Sequence, residues 1–155
     1  WSYNASPNVG DIPAPDMDRT FDASADLSKA LENNYTLKIN EKKLANASSD
    51  SDKQSLKLTV EDNKKNIATA LVVAAQNIAS AKESYNYANS FASLQETNLA
   101  TANQRFSLGM ISKPELDTQR ITTENAKRAL EQSRYAINQA IANYDWAIKG
   151  LAPTS

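Results

Sequence analysis

The side chains that most often carry covalent chemistry are missing from this chain: its 155 residues include no histidine and no cysteine. Thiolate nucleophiles, imidazole bases and the usual zinc ligand sets therefore fall away. Carboxylates remain. Asp11, Asp16, Asp18 and Asp22 crowd the start of the chain, but they lack the spacing of a calcium loop and read as solvated charges. Arg105, Arg120, Arg128 and Arg134 are spread along the second half, as the solvated faces of helices would have them. Tyr85, Tyr87 and Tyr135 are expected to pack or snorkel between helices rather than hold a ligand. The chain is not expected to be an enzyme, and no catalytic, cofactor-binding or metal-binding residue is assigned.

What the residue types do offer is a surface for recognition. Arg105, Phe106, Ser107, Leu108, Gly109, Met110 and Ile111 stand together in a short segment between two long periodic patterns. Gly109 would let a partner backbone approach closely, Leu108 and Met110 supply apolar surface, and Ser107 and Ser112 offer hydrogen bonds. The candidate partner-binding set is Arg105, Ser107, Leu108, Gly109, Met110 and Ile111. The competing reading is that Leu108 and Met110 fold inward and merely cap a helical hairpin. Just beyond, Ser112 and Glu115 stand three apart, the spacing of a capping box that satisfies free backbone donors at a helix start.

Two helices must position this segment. From Val60, the residues Asn63, Ile67, Leu71, Ala74, Ile78, Ala81, Tyr85, Ala88, Ala92, Gln95, Leu99, Ala102 and Phe106 follow at spacings of three and four, a heptad seam. A second ladder runs through Leu116, Gln119, Thr123, Ala126, Leu130, Ser133, Ile137, Ala140, Tyr144, Ala147 and Leu151. None of the three glycines, Gly10, Gly109 and Gly150, falls inside a ladder, and Gly150 stands where a residue with positive φ commonly stops a helix. Pro7, Pro13, Pro15 and Pro153 lie in the tails, whereas Pro114 falls in the first turn of the last helix, where its missing N–H costs little.

Upstream, residues 1–21 lack a helical period and read as an extended arm. Residues 22–47 read as a helix, with Leu27, Ala30, Leu31, Asn34, Leu37, Glu41 and Leu44 on one broad face and Asp22 or Ser24 as N-cap. The run Ser48-Ser49-Asp50-Ser51-Asp52 reads as the turn that ends it. Helices over about 22–47, 53–106 and 113–149, a helical domain over 22–151 and a tail over 152–155 follow. The fold class is all-α: an elongated up-down-up three-helix bundle with a long antiparallel coiled-coil hairpin.

With a net charge of −1 and acids and bases interleaved, the chain has no electrostatic footprint for nucleic acid or an anionic membrane. The apolar run Ile67 to Ala75 is far shorter than the roughly 20 residues of a transmembrane helix, so no direct membrane span is expected, and no signal-peptide pattern is seen. Many seam positions are alanine, which permits close helix approach but buries little area. Alanine also recurs off the seam, at Ala68, Ala70, Ala75, Ala79, Ala100, Ala129 and Ala136. That pattern suggests helices packed on two sides and a homo-oligomer, a trimer or higher ring.

From about Asp26 onward the chain resembles a repeat of the TolC-like outer-membrane efflux proteins. Leu27-Ser28-Lys29-Ala30-Leu31-Glu32-Asn33-Asn34 is similar to the family's first helix. Phe106-Ser107-Leu108-Gly109-Met110-Ile111-Ser112 is similar to its tip, and Ala126-Lys127-Arg128-Ala129-Leu130 with Ala136, Tyr144, Ala147 and Leu151 to its returning helix. The resemblance implies a non-enzymatic, extracytoplasmic component of an export system, in the periplasm or at the cell surface. Its tip, at Ser107, Leu108, Gly109 and Met110, would bind the hairpin of a periplasmic adaptor (membrane-fusion) protein. Glu115 occupies the place of a possible lumen acid, although its second carboxylate would fall at Thr118. The departure is that Ser48 to Asp52 stands where the family has paired β-strands. A single repeat without them cannot close an outer-membrane barrel, which implies a strand-less relative or a piece of a larger protein. The alternative function is a helical scaffold or spacer without a transport role.

Overall fold

A computed structural model describes residues 13–152, and these are helical throughout their folded part, with no strand among them. Four helices follow in order: α1 (Ala23–Asn33), α2 (Tyr35–Asn46), α3 (Asp50–Ser107) and α4 (Lys113–Trp146). A wider wound turn, Ala147–Leu151, ends the fold. Most of the arm expected over 1–21, including Asp11 and Gly10, lies outside the described residues, as do residues 153–155 of the tail.

Three boundaries differ from the periodic reading. The helix expected over 22–47 is interrupted at Asn34, whose backbone is extended (φ −70°, ψ 115°). Its N–H closes α1 on Ala30 O and Leu31 O, while its Oδ1 accepts from Leu37 N–H at 2.9 Å and opens α2. One asparagine is thus C-cap and N-cap at once, a role that suits a side chain able to replace a backbone acceptor. The second boundary is the start of α3, three residues earlier than expected, because Ser49 Oγ accepts from Asp52 N–H at 3.0 Å. Asp50 and Asp52 then lie in the first turn, where they complement the helix dipole. Finally, α4 ends at Trp146 and passes into the wider turn, which stops at Gly150 with φ +95°.

The described chain forms two compact units. The first comprises Tyr85–Asn138 with the described residues 13–16; the second comprises Met17–Ser84 with residues 139–152.

In the second unit the core gathers Ala30, Leu37, Val60, Ile67, Leu71, Ile78, Tyr144, Ala147 and Ala152, with Phe21, Leu27, Leu31 and Leu44 packed partly against it. The seam positions from Val60 to Ile78 are buried or half-buried, as a heptad stripe facing a partner helix must be. Leu151 departs from the expected ladder: it is 68 % exposed, because the turn at Gly150 rotates it off the α4 face. Asn34, 1 % exposed, donates through Nδ2 to Gly150 O at 3.1 Å and Ala152 O at 3.2 Å. Asn33 donates to Ile148 O at 3.0 Å. The junction of α1 and α2 is thereby fastened to the end of the chain.

In the first unit, Ala88, Ala92 and Gln95 of α3 and Leu116, Thr123, Ala126 and Ile137 of α4 are buried. Small residues bring the helices close, and a polar layer sits among them. Gln119 Nε2 donates to Gln95 Oε1 at 3.0 Å, and the one hydroxyl hydrogen of the fully buried Thr123 is shared between Gln95 O at 3.1 Å and Gln119 O at 2.9 Å. Buried polar groups are tolerated where each finds a partner. Tyr87 and Tyr135 are not packed as expected but 74 % and 58 % exposed. Tyr87 stacks on Phe91 at 6.1 Å.

Candidate functional site

The segment between α3 and α4 is built almost entirely by its own backbone. Gly109 N–H donates to Phe106 O at 3.0 Å, and Met110 N–H donates to Arg105 O at 2.9 Å. This pair of bonds is a Schellman motif, which needs a left-handed residue at its centre. Gly109 supplies it with φ +69°. A Cβ added there would meet nothing within 4 Å, so the space above Gly109 is open.

The motif decides which side chains are displayed. Leu108 and Met110 are 74 % and 63 % exposed and Phe106 is 39 % exposed; they do not turn inward to cap the pair of helices. Arg105 and Ser107 are exposed as well, while Ile111 is half-buried and anchors the far side of the turn. The six residues of the sequence-derived set therefore stand together, with apolar surface flanking an accessible backbone. The serine donors, however, are spent within the chain. Ser107 Oγ donates to Gln104 O at 2.7 Å, and Ser112 Oγ donates to Glu115 Oε2 at 2.7 Å.

The capping box forms as its spacing predicts. Ser112 N–H donates to Glu115 Oε2 at 2.7 Å, and Glu115 N–H reaches Ser112 Oγ at 3.4 Å. The hydrogen bonds from the Ser112 hydroxyl and N–H, with a smaller contribution from the Arg105 charge, hold the Glu115 carboxyl below its ordinary 4.5. The Glu115 carboxylate is engaged in the cap. Asp117 pairs instead with Lys113 at 3.1 Å and Arg120 at 3.5 Å, so the acids beside the tip are occupied along one helix face.

Among the described residues there is no group of three or more potential metal ligands, and no helix is long and apolar enough to cross a membrane. Asp22, one of the crowded acids, is the N-cap of α1, accepting from Ser24 N–H at 2.9 Å and Ala25 N–H at 3.1 Å.

Two features of the second unit have no precursor in the periodic pattern. A groove of about 570 Å³ is lined by Thr69, Val73, Asn77, Asn143, Trp146 and Leu151, among others. Separately, Arg19 pairs with Asp145 across 126 positions of sequence. The sequence marks the second only by Arg19 standing two residues before Phe21.

No family model, curated protein or solved structure matches the chain, so the likeness to TolC-like proteins rests on the motifs quoted above.

Proposed function

We propose that this chain is a non-enzymatic component of an export system, a TolC-like helical duct or adaptor-docking module whose tip binds a membrane-fusion protein. The observation that carries the reading is the tip itself: Leu108 and Met110 are exposed on either side of a glycine whose surroundings are empty. Exposed apolar side chains beside open backbone form a small anchor site of the kind that a partner's helical hairpin fills, and burial of such anchors supplies much of the binding energy at an interface.

The up-down-up order of the helices, an extracytoplasmic location and assembly into a trimer or higher ring belong to the same reading. Self-association is supported by alanines left exposed on the long helices, at Ala79, Ala100, Ala129 and Ala136. It is also supported by the exposed Tyr87 and Phe91. Glu115 stands where a duct of this kind would place a lumen acid, but its cap bonding favours a structural part.

The test is binding of a purified membrane-fusion protein to the chain and to its Leu108→Lys and Met110→Glu variants. Each variant should lose at least tenfold in affinity, since each removes an apolar anchor, with helix content unchanged. Undiminished binding by both folded variants would sink the docking role. Sedimentation that shows only monomer at high concentration would remove the ring.

A further inference from the structure

The chain before α1 is not helical, yet from Ala14 to Phe21 its burial alternates. Pro15, Met17, Arg19 and Phe21 are half-buried, whereas Ala14, Asp16, Asp18 and Thr20 are exposed. A period of two belongs to an extended backbone lying with one side on a surface. In the second unit, Lys82 Nζ donates to the main-chain carbonyls of Met17 at 2.8 Å and Arg19 at 2.9 Å. Arg19 pairs with Asp145 of α4, and Phe21 packs edge-on against Tyr144 at 5.1 Å. In the first unit, Asn138 Nδ2 donates to the carbonyl of Pro13 at 2.9 Å. As residue numbers fall along this strap, its partners on α4 fall as well, from Asp145 and Tyr144 to Asn138.

The sequence upstream carries the same period. Odd positions hold Trp1, Tyr3, Ala5, Pro7 and Val9, and even positions hold Ser2, Asn4, Ser6, Asn8 and Gly10. The parity that faces inward between Pro15 and Phe21 is thus the parity that is apolar upstream. Asp11 and Ile12 interrupt the alternation, and Asp11 is the only charge in residues 1–12. A cation stands on α4 at the matching distance. Two extended residues carry the chain about 7 Å from Pro13 to Asp11, and the four helical residues from Asn138 to Arg134 span about 6 Å. Arg134 also pairs with Glu131 at 2.9 Å, and a guanidinium has donors for two carboxylates.

We propose that the α4 face of the first unit that begins at Asn138 and passes Arg134, Glu131 and Lys127 is the docking site of the chain's own residues 1–12. They continue the strap in the same parity, with Asp11 on Arg134 and the odd side chains turned toward the helix. The four α4 residues recur at spacings of four and three, so they share one face. The aliphatic stems of Arg134 and Lys127, with the Tyr135 ring beside them at 58 % exposure, give the inward side chains apolar cover. The proposal needs no second copy and no rearrangement of residues 13–21. It is independent of the tip and of any adaptor.

The absence of cysteine allows a direct test with the full chain in dilute solution. Gly10→Cys with Gln132→Cys should crosslink internally through a short bismaleimide several-fold faster than Gly10→Cys with Tyr87→Cys, whose second cysteine stands on the exposed surface of α3 in the same unit. Asp11→Lys should bring the first pair down to the rate of the second, and Arg134→Glu added to it should restore the rate. Single cysteines test the parity: Val9→Cys should react with a bulky maleimide several-fold more slowly than Asn8→Cys. Helix content by circular dichroism should be the same in every variant. Equal crosslinking rates for the two pairs, or a product that is mainly a dimer, overturn the docking. An Asp11→Lys chain that crosslinks as before, or that Arg134→Glu fails to restore, overturns the register, and equal labelling at positions 8 and 9 overturns the parity.

Discussion

Gly109 and Gly150 both hold positive φ, at +69° and +95°, but substitution by alanine should separate them sharply. Placing an L-residue in the left-handed region costs about 1–2 kcal/mol, and the smaller unfolded-state entropy of alanine offsets about 0.4–1 kcal/mol of it. At Gly109 nothing lies within 4 Å of the new Cβ, so the net loss is no more than about 1.5 kcal/mol. At Gly150 the Cβ would stand 2.5 Å from Asn33 C and 2.9 Å from Asn34 N, and closer still to Asn33 O. All three are backbone atoms and none has a flexible side chain's freedom to move. The α1–α2 junction must then draw away from the end of the chain, which breaks the bonds from Asn34 to Gly150 O and Ala152 O. At about 1 kcal/mol for each bond, added to the backbone loss, Gly150→Ala loses about 2–3.5 kcal/mol in total. Urea unfolding followed by far-ultraviolet circular dichroism measures both variants. In thermal melts the difference amounts to about 2–4 °C per kcal/mol for a domain of this size. Equal losses for the two variants, or a loss below about 1 kcal/mol for Gly150→Ala, would refute the close approach at the C-terminal turn.

Tyr144 donates to Asp26 at 3.0 Å, and burial, reinforced by that bond and by the charges of Asp26 and Asp22, pushes its hydroxyl well above the ordinary 10.0. A group whose folded value is raised contributes stability that is complete below its unfolded value and is lost as pH rises through the folded one. A spectroscopic alkaline titration should therefore show one tyrosine that ionises only as the fold is lost, and Tyr144→Phe should remove that late component. Glu115 behaves in the opposite sense: its lowered value makes the cap complete above pH 4.5 and lost on further acidification. Carboxyl NMR should place its midpoint below 4.5 and see it rise in Ser112→Ala. Thr123→Val keeps the buried shape but removes the donor to Gln95 O and Gln119 O. It should cost about 1 kcal/mol, read by the same unfolding assay. No loss would show that the polar layer is energetically idle.

The helical period alone identified nearly every buried position of α3 and α4, because a heptad stripe leaves one face to hide and the sequence repeats it without interruption. The Ser112–Glu115 cap and the glycine turn at 109 were equally legible, since both are formed by residues within a few positions of one another. Asn34 was partly legible: it was placed on the buried face, but its role as a double cap was not, because a single asparagine in an apolar period does not by itself interrupt a helix. The exposure of Leu108 and Met110 required the folded turn, as the same residues could have packed inward.

Sequence by itself determined the class of the fold, its periodic cores and its turns, all of which are governed by short-range backbone geometry and the spacing of apolar side chains. Only the tertiary structure decided what meets across the chain: Asn34 with Gly150 and Ala152, Tyr144 with Asp26, and Arg19 with Asp145. Each joins groups more than 115 positions apart. Their identity depends on how two faces are brought into register, which no local pattern records.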